Sequence, residues 1–302
     1  MSFEQRLHEA AQLIGKRLER LCTDLEMDGA PQRLSDAIRH GLLAGGKRFR
    51  PFLVIESAAL FDIPVHSALE TATAIECIHC YSLIHDDLPA MDNDKLRRGE
   101  PTVWSAYDEW TAILVGDALQ AHAFEILAQE TAHEHPEIRN RLVMGLARAS
   151  GGTGMVGGQA LDLEAGKRNS PPRPSLSHIK TLQSMKTGAL IRFSCQAGGI
   201  LAGAGAGYDD HAALISFGNH LGYAFQISDD LLDAQGDEKT MGKATEKDSQ
   251  AGKATLVSTL GISKARASLK EVQEQAQDAL DHFGNKADTL RQAVDFVVSR
   301  KR

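Results

Sequence analysis

The 302-residue chain has few aromatic residues, few cysteines and no excess of positive charge. Aromatic side chains make up 5% of the sequence, and four scattered cysteines do not provide the disulfide framework of a small secreted protein. The net charge of −7 argues against nucleic-acid binding, which needs a broad basic face. This composition argues against a small disulfide-rich protein and against a nucleic-acid-binding protein, and it is compatible with charged residues concentrated at one site.

The sequence also lacks the usual signs of export or membrane insertion. The stretch from Met1 to Leu21 is amphipathic with mixed charges, whereas a signal peptide has an apolar core and a small-residue cleavage site. No run reaches the roughly 18 consecutive apolar residues of a membrane span. We therefore expect a soluble cytoplasmic protein without stable membrane insertion and without a nucleic-acid partner.

Helical periodicity dominates the chain and strand-like alternation is hard to find, which predicts an all-α protein. No Pro- or Gly-rich stretch is long enough to be a convincing linker, so we predict a single domain over residues 1–302. Breaks in the last helical stretch are expected near Gly261 and Gly284. The predicted helices are 4–25, 32–44, 51–61, 66–87, 103–131, 136–150, 178–203, 209–234 and 251–301.

A glycine-rich stretch, GGTGMVGG at residues 151–158, has the spacing of a dinucleotide-binding fingerprint. That fingerprint requires a strand before it, and the preceding RLVMGLARAS is helical instead. The glycines are better explained by the close approach of two helices, or of a helix and a ligand.

Two aspartate clusters are the most informative feature of the sequence. DDLPAMD covers Asp86 to Asp92, and DDLLD covers Asp229 to Asp233. Mg²⁺ prefers oxygen ligands and is typically shared between one or two carboxylates and a substrate phosphate. Two such clusters indicate several metal ions that hold one polyphosphate.

Helix geometry makes the two clusters unequal. Asp229 and Asp233 are four residues apart and share one helix face. Asp86 and Asp92 are six apart, so a continuous helix would point them in different directions. Pro89 disfavours helix at the residue before it. We therefore predict a bulge that returns Asp92 to the side of Asp86.

Cationic residues accompany both clusters. Lys47 and Arg50 follow two glycines in GGKRFRP, and Arg97 and Arg98 follow the first cluster; the planar guanidinium of arginine makes bidentate bonds to phosphate. His79 is nearly on the helical face of Asp86, either as a core histidine or as a phosphate contact. Such cations would stabilise a departing polyphosphate. The second half of the chain adds Lys186 with Thr187, Lys243 and Lys253.

Four motifs, in order, resemble the signature regions of the trans-isoprenyl diphosphate synthases, most closely the bacterial farnesyl diphosphate synthases. They are GGKRFRP, SLIHDDLPAMDNDKLRRGEPT, MKTGALI and FQISDDLLD, within a similarity from about Leu34 to Leu256. The resemblance implies a homodimeric isoprenoid-synthase-type helical bundle around a central cavity, with the aspartate clusters facing each other across its mouth. It also implies a prenyltransferase that condenses isopentenyl diphosphate with dimethylallyl or geranyl diphosphate to give (2E,6E)-farnesyl diphosphate.

The resemblance further implies roles for individual residues. Mg²⁺ is the implied cofactor, with about three ions per active site when diphosphate is bound and Mn²⁺ as an alternative. Its implied ligands are Asp86, Asp87, Asp92, Asp229, Asp230 and Asp233. Catalytic roles are implied for Asp86, Asp87, Asp92, Arg97, Lys186, Asp229 and Lys243. The allylic diphosphate would contact Arg97, Lys186, Thr187, Gln226 and Lys243, and isopentenyl diphosphate would contact Lys47, Arg50, His79 and Arg98, with Lys253 as a further substrate-binding residue.

Product length is the least determined property. Tyr81, five residues before the first aspartate, resembles a cavity floor that limits the product to farnesyl length. The helical wheel alone points Tyr81 away from Asp86, and Ser82 projects nearer to that face. A geranylgeranyl or geranyl diphosphate synthase is therefore an alternative, and a noncatalytic helical subunit that binds metal and diphosphate is an alternative of a different class.

Overall fold

A computed structural model describes residues 2–172, 174–240 and 255–300, with the backbone alone at 235–240. Within these residues helices predominate, and the all-α prediction is confirmed. The α-helices are α1 Phe3–Met27, α2 Gln32–Leu43, α3 Phe49–Ala59, α4 Val65–Asp86, α5 Val103–Ala106, α6 Glu109–Ala128, α7 Pro136–Ser150, α8 Met155–Arg168, α9 Leu176–Gln183, α10 Ala189–Leu201, α11 Tyr208–Thr240, α12 Leu256–Leu260, α13 Ile262–Asp278 and α14 Asp288–Ser299.

Shorter elements complete the described chain. A π-helical turn at Ser184–Gly188 joins α9 to α10, and 3₁₀ turns lie at Gly203–Gly205 and Asp281–Ala287. The strands β1, Leu96–Arg97, and β2, Glu100–Pro101, form an antiparallel hairpin that follows the first aspartate cluster.

The chain divides into two compact units. The first consists of Met1–Met144 with Ile200–Gly203, and the second of Gly145–Gly199 with Ala204–Arg302. The first aspartate cluster belongs to the first unit, and the second cluster to the second unit. The single-domain prediction stays a prediction.

Helix α4 is central to the first unit and packs against α3 and α6. Ile75 and Ile78 are fully buried on it, so the helix that leads to the first cluster is a core helix of this unit. The helix predicted over 103–131 is wrong at one point, because it is interrupted before α6. There the Asp108 carboxylate accepts a hydrogen bond from the Thr111 backbone N–H at 2.8 Å and caps α6.

Helix α6 is also long and apolar enough to cross a membrane by length and composition. Its 18-residue window has a mean hydropathy of 1.2 and is 44% buried. No uninterrupted apolar run of this length occurs in α6, because polar residues interrupt it, but its average composition is apolar enough for a span. Buried core helices pass the same test, so this composition is weak support for a span.

In the second unit, sequence reasoning missed helix α8. Gly158 of α8 lies so close to the Lys186 backbone that a side chain there would collide with it, and Gly157 faces the Met185 side chain. The prediction that the glycine-rich stretch allows close helix approach is therefore confirmed, but glycine's low helix propensity concealed the helix itself.

The predicted breaks in the last helical stretch are also confirmed. Gly261 has φ +80° between α12 and α13, and Gly284 has φ +55° within the turn before α14. Both lie in the left-handed region that glycine adopts without steric cost. The first part of that predicted helix, 251–254, lies outside the described residues.

Candidate active site

The first aspartate cluster begins where helix α4 ends. Asp86 is the last helical residue, and the chain then turns back on itself. The Asp92 backbone N–H donates to the Asp86 carbonyl at 2.8 Å, and the Asp94 N–H donates to the Asp87 carbonyl at 3.1 Å. The backbone therefore returns to Asp86 at Asp92, and a shared side for the two carboxylates stays a prediction. The predicted bulge is wrong in form, because the helix terminates and a closed loop makes the return.

Asp87 is the buried member of this cluster. Its carboxylate accepts from Arg97 Nε at 2.9 and 3.0 Å and from Arg97 Nη2 at 2.7 Å. Burial raises the pKa of Asp87, while the guanidinium of Arg97 acts in the opposite direction. Asp86 is half-buried and Asp92 is exposed, so these two carboxylates are accessible to a ligand.

The residues predicted to bind isopentenyl diphosphate lie close together in the first unit. Arg98 of the hairpin donates through Nη1 to the Gly45 carbonyl, and its guanidinium occupies the space where a side chain at Gly46 would be. Lys47 follows directly and is exposed. Arg50 Nη1 lies 3.4 Å from His79 Nε2.

His79 is neutral in this setting. Burial, followed by the positive charges of Arg50, Arg98, Arg48 and Arg97, lowers the pKa of His79 well below its usual value. Because arginine can only donate, Nε2 of His79 accepts from Arg50 and the proton is on Nδ1. His79 can therefore accept and donate without adding charge to an already positive cluster.

Sequence reasoning missed the structural role of Arg48. Its guanidinium pairs with Glu76 at 2.5 Å and donates to the Leu42 carbonyl at 2.7 Å, and both charged side chains are buried. Arg48 has φ +47° at the start of α3. Glu76, which lies between the apolar residues Ile75 and Cys77 of α4, was the signal that could have revealed it, since a buried carboxylate needs a partner.

Tyr81 and Ser82 occupy different surroundings on α4. Tyr81 is buried with its ring edge-on to His85, at 5.7 Å between centroids, and burial together with Asp86 raises the pKa of Tyr81 to about 12. His85 Nε2 donates to the Ile113 carbonyl of α6 at 3.1 Å, and a side chain at Gly116 would collide with that imidazole. Ser82 donates to the His79 carbonyl at 2.8 Å.

The second aspartate cluster lies on the continuous helix α11, as predicted. Asp229 is partly exposed and Asp233 is exposed, whereas Asp230 is buried. Asp230 accepts from the Leu256 backbone N–H at 2.8 Å, from Gln183 Nε2 at 3.3 Å and from Gln226 Nε2 at 3.4 Å. These three donors surround a carboxylate that was predicted to bind metal. One of them, the amide of Gln226, belongs to a residue that was predicted to contact substrate.

Lys186 lies in the π-helical turn next to Thr187. Its Nζ atom is 2.6 Å from Asp162 Oδ2 on helix α8. One turn before Asp162, Gln159 is 9% exposed, and within the described residues neither amide atom has a hydrogen-bond partner. Sequence reasoning singled out neither Asp162 nor Gln159. Their spacing of three residues, directly after the paired glycines, was the available signal.

Arg300, which directly follows α14, contacts the second cluster. Its Nη2 atom lies 2.5 Å from Asp229 Oδ1 and 2.9 Å from the Phe225 carbonyl. Lys243 and Lys253, both predicted to bind substrate, lie outside the described residues.

The donor set fits magnesium. Within the described chain, no three His, Cys, Asp or Glu side chains are grouped closely enough to hold a metal ion by themselves. Mg²⁺ does not need such a group, because one or two carboxylates and substrate phosphates suffice. Asp86, Asp92, Asp229 and Asp233 are partly or fully exposed, so their carboxylates can supply such oxygen ligands.

The fold and these two clusters define an all-α protein that presents carboxylates and clustered cations, the combination that binds metal and phosphate. The chain belongs to the polyprenyl synthetase family, whose model matches residues 31–297.

Individual relatives agree over nearly the whole chain. It is 38% identical to a farnesyl diphosphate synthase of Escherichia coli over 100% of both chains. It is 40% identical to a geranylgeranyl diphosphate synthase of Cyanophora paradoxa, over 90% of this chain and 89% of that one. A crystal structure of an FPP/GFPP synthase from Zymomonas mobilis has a TM-score of 0.85 and 43% identity, covering 98% of this chain and 100% of that one.

Proposed function

We propose that this protein is a prenyltransferase that condenses isopentenyl diphosphate with dimethylallyl or geranyl diphosphate to give (2E,6E)-farnesyl diphosphate. The observation that carries the proposal is the similarity to farnesyl diphosphate synthases over the full chain, together with two aspartate clusters that each have accessible carboxylates. Ionisation of an allylic diphosphate gives a cation, which the alkene of isopentenyl diphosphate attacks before a proton is lost.

Asp86, Asp92, Asp229 and Asp233 are the proposed principal ligands of Mg²⁺, since their carboxylates are the accessible ones. When bound, Mg²⁺ would neutralise negative charge that develops on the departing diphosphate. Asp87 and Asp230 are buried, and their proposed part is to fix the geometry of each cluster through Arg97 and through Leu256, Gln183 and Gln226. Mn²⁺ is a proposed substitute for Mg²⁺.

Arg97, Lys186 and Thr187 are proposed to bind the allylic diphosphate, with Lys243 and Lys253 as further cations. Lys186 is held by Asp162, so its ammonium is oriented before substrate arrives. Pre-oriented cations require little reorganisation during the reaction, and this is why they stabilise a developing charge effectively.

Lys47, Arg50, His79 and Arg98 are proposed to bind isopentenyl diphosphate. The hairpin brings Arg98 to the Gly45–Gly46 loop, and α3 brings Arg50 to His79. A neutral His79 can donate from Nδ1 to a diphosphate oxygen, while the arginines provide charge-assisted bonds.

The direct test supplies purified protein with Mg²⁺, isopentenyl diphosphate and either allylic starter, and identifies the prenyl product by mass spectrometry. We expect farnesyl diphosphate from both starters. Absence of condensation would favour a noncatalytic subunit that binds metal and diphosphate. A geranylgeranyl product, as in the relative from Cyanophora paradoxa, would overturn the farnesyl assignment and leave the prenyltransferase assignment intact.

Tyr81 is proposed to limit the length of the product. Its buried ring is oriented by His85, which is itself fixed to α6. Replacement of Tyr81 by Ala removes the ring and should lengthen the product, whereas Ser82→Ala, one residue further along, should change it less. An unchanged product from Tyr81→Ala would exclude Tyr81 as the limiting residue.

A homodimer in the cytoplasm, with both units acting as one domain, completes the proposal. Trp110, Ile113 and Leu114 on α6 are 57%, 44% and 46% exposed, and such an apolar patch favours a protein partner. Sedimentation should give twice the chain mass for the wild type, and Ile113→Lys should shift the equilibrium towards monomer. A wild type that sediments as a monomer would contradict this part of the proposal.

A further inference from the structure

Arg300 makes a set of contacts that a surface charge does not need. Its Nη2 atom donates to Asp229 Oδ1 at 2.5 Å and to the Phe225 carbonyl at 2.9 Å, and its Nε atom donates to Ser228 Oγ at 3.3 Å. The guanidinium carbon lies 3.9 Å from the centre of the Phe225 ring. From the sequence alone, the basic run from Ser299 to Arg302 could help to cover bound diphosphates, but the favoured interpretation is that it complements the dipole of the last helix.

Burial makes this contact set specific. The Arg300 side chain is 13% exposed, while its partner Asp229 is 42% exposed. Ser228 also donates to the Val297 carbonyl at 2.8 Å, so the middle of α11 is joined to the end of α14 beside the guanidinium. The planar fork and the ring contact orient Arg300 in a way that lysine could not reproduce.

The contact has a consequence for metal binding. The Oδ1 atom of Asp229 that accepts from Arg300 is one of only two oxygens that this carboxylate can offer to a cation. A divalent ion and a guanidinium both bring positive charge, so they oppose each other at one carboxylate. Arg300 must therefore weaken metal binding at Asp229 for as long as it stays in place.

We propose that Arg300 is a positioning residue that competes with a divalent cation for Asp229 until a diphosphate offers the guanidinium another anion. This inference rests on the proposed function, in which Asp229 is a metal ligand. Guanidinium groups bind phosphate oxygens through two parallel bonds, so a diphosphate beside the cluster is a suitable second partner. Metal and diphosphate would then each strengthen the binding of the other, because either one favours release of the Arg300–Asp229 pair.

The test measures Mn²⁺ binding to the full chain by electron paramagnetic resonance of the free ion, without turnover. Arg300→Gln is compared with the wild type, with and without inorganic diphosphate. Arg291→Gln is the matched control, because Arg291 also bonds to carbonyls and a carboxylate around α14 and has no contact with Asp229 among its assigned bonds. Arg300→Lys keeps the charge and loses the fork, and it serves as a second variant if the glutamine variant does not fold.

Without diphosphate, Arg300→Gln should bind Mn²⁺ with a Kd about fivefold lower, the scale of one partly exposed ion pair, and Arg300→Lys should show a smaller gain. The gain should vanish when Asp229→Asn is added. Inorganic diphosphate should tighten Mn²⁺ binding more in the wild type than in Arg300→Gln. Arg291→Gln should match the wild type throughout.

Equal or weaker Mn²⁺ binding by both Arg300 variants would overturn the inference, as would a gain that survives in the Asp229→Asn background. The condensation assay separates this result from the proposed function. Condensation by wild-type protein with unaltered Mn²⁺ binding in the variants would remove only the competition. Tighter Mn²⁺ binding in a protein that makes no prenyl product would support the competition and reject the synthase.

Discussion

The two aspartate clusters have similar sequences and are supported in different ways. After Asp86 the helix ends and a closed loop carries the chain back, whereas the helix continues through Asp229 to Asp233. In both clusters the second aspartate of the DD pair is the buried one. Asp87 is neutralised by the guanidinium of Arg97, and Asp230 is surrounded by neutral donors from three separate segments.

The buried aspartates of the two clusters therefore depend on different kinds of neighbours. The buried charge of the first cluster depends on Arg97, a residue that is also proposed to bind diphosphate, so ligand binding must disturb its support. The buried charge of the second cluster depends on hydrogen bonds from Leu256, Gln183 and Gln226, and of these residues only Gln226 has an implied contact with substrate. Under the proposed function, the first cluster is coupled to substrate through Arg97, and the second through Arg300, which pairs with Asp229.

The largest expected effects come from the accessible aspartates. Asp86→Asn and Asp229→Asn should each reduce condensation by roughly 10²–10³-fold, because a charged group that stabilises the leaving group is lost. The unfolding free energy in urea should stay nearly unchanged for Asp86→Asn, whose side chain is partly exposed. Asp229→Asn also removes the charged partner of Arg300 and should lower the unfolding free energy by about 1 kcal/mol. Exposed Asp278, on α13, provides the control, and Asp278→Asn should keep full activity. Loss from only one of the two variants would break the parallel between the clusters.

The buried aspartates should differ in stability. Asp87→Asn leaves the guanidinium of Arg97 without its charged partner and should lower the unfolding free energy by about 1–2 kcal/mol, discounted because Arg97 is 32% exposed. Asp230→Asn keeps one carbonyl acceptor and removes a buried charge, so its cost should be under about 1 kcal/mol.

Equilibrium urea unfolding of both variants checks this order. A double-mutant cycle with Arg97→Gln isolates the pairwise contribution of Asp87 and Arg97. A larger cost at Asp230 than at Asp87 would contradict the expected order. It would show that the neutral donors stabilise their carboxylate more than the guanidinium of Arg97 stabilises Asp87.

What could be predicted from the sequence followed from local rules. The four-residue spacing of Asp229 and Asp233, the effect of Pro89 and the breaks at Gly261 and Gly284 all depend on backbone geometry over a few residues. The all-α class was predictable for the same reason. Helix α8 was missed because Gly157 and Gly158 weaken helix propensity, and the reason for a glycine at position 158 lies about 28 residues away at Lys186.

The pairing of charges could not be predicted in this way. Nothing in the sequence indicates that Arg97 pairs with Asp87, that Lys186 pairs with Asp162 or that Arg300 pairs with Asp229. Each pair joins residues on separate elements, so its formation depends on tertiary packing. Motif recognition supplied the list of residues, and packing decides which carboxylates are accessible.

Two buried glutamines in the second unit, Gln159 and Gln183, differ in whether their amides have hydrogen-bond partners. Gln159 has no hydrogen-bond partner within the described residues, whereas Gln183 donates to Asp230. Gln159→Met should raise the unfolding free energy by about 1 kcal/mol, since a buried polar group without a partner costs stability. Gln183→Met is the matched control and should lower stability. Reduced stability in both variants would show that Gln159 has a structural role.

The smallest expected effect is a pH dependence confined to the first unit. The pKa of His79 in the folded protein lies well below the unfolded value of about 6.5, so between these two values the unfolded chain binds one more proton. Unfolding free energy should therefore fall as pH drops through this window, by up to about 1.4 kcal/mol per pH unit from this group.

His79→Gln should flatten that decline when urea unfolding is compared at pH 7.5 and pH 5.5, because glutamine does not titrate. His8→Gln, on the exposed face of α1, should leave the slope of the wild type. Equal slopes for all three proteins would mean that burial and the surrounding arginines do not lower the pKa of His79. Bound inorganic diphosphate should also reduce the decline, because its negative charge opposes the arginines and raises the pKa of His79.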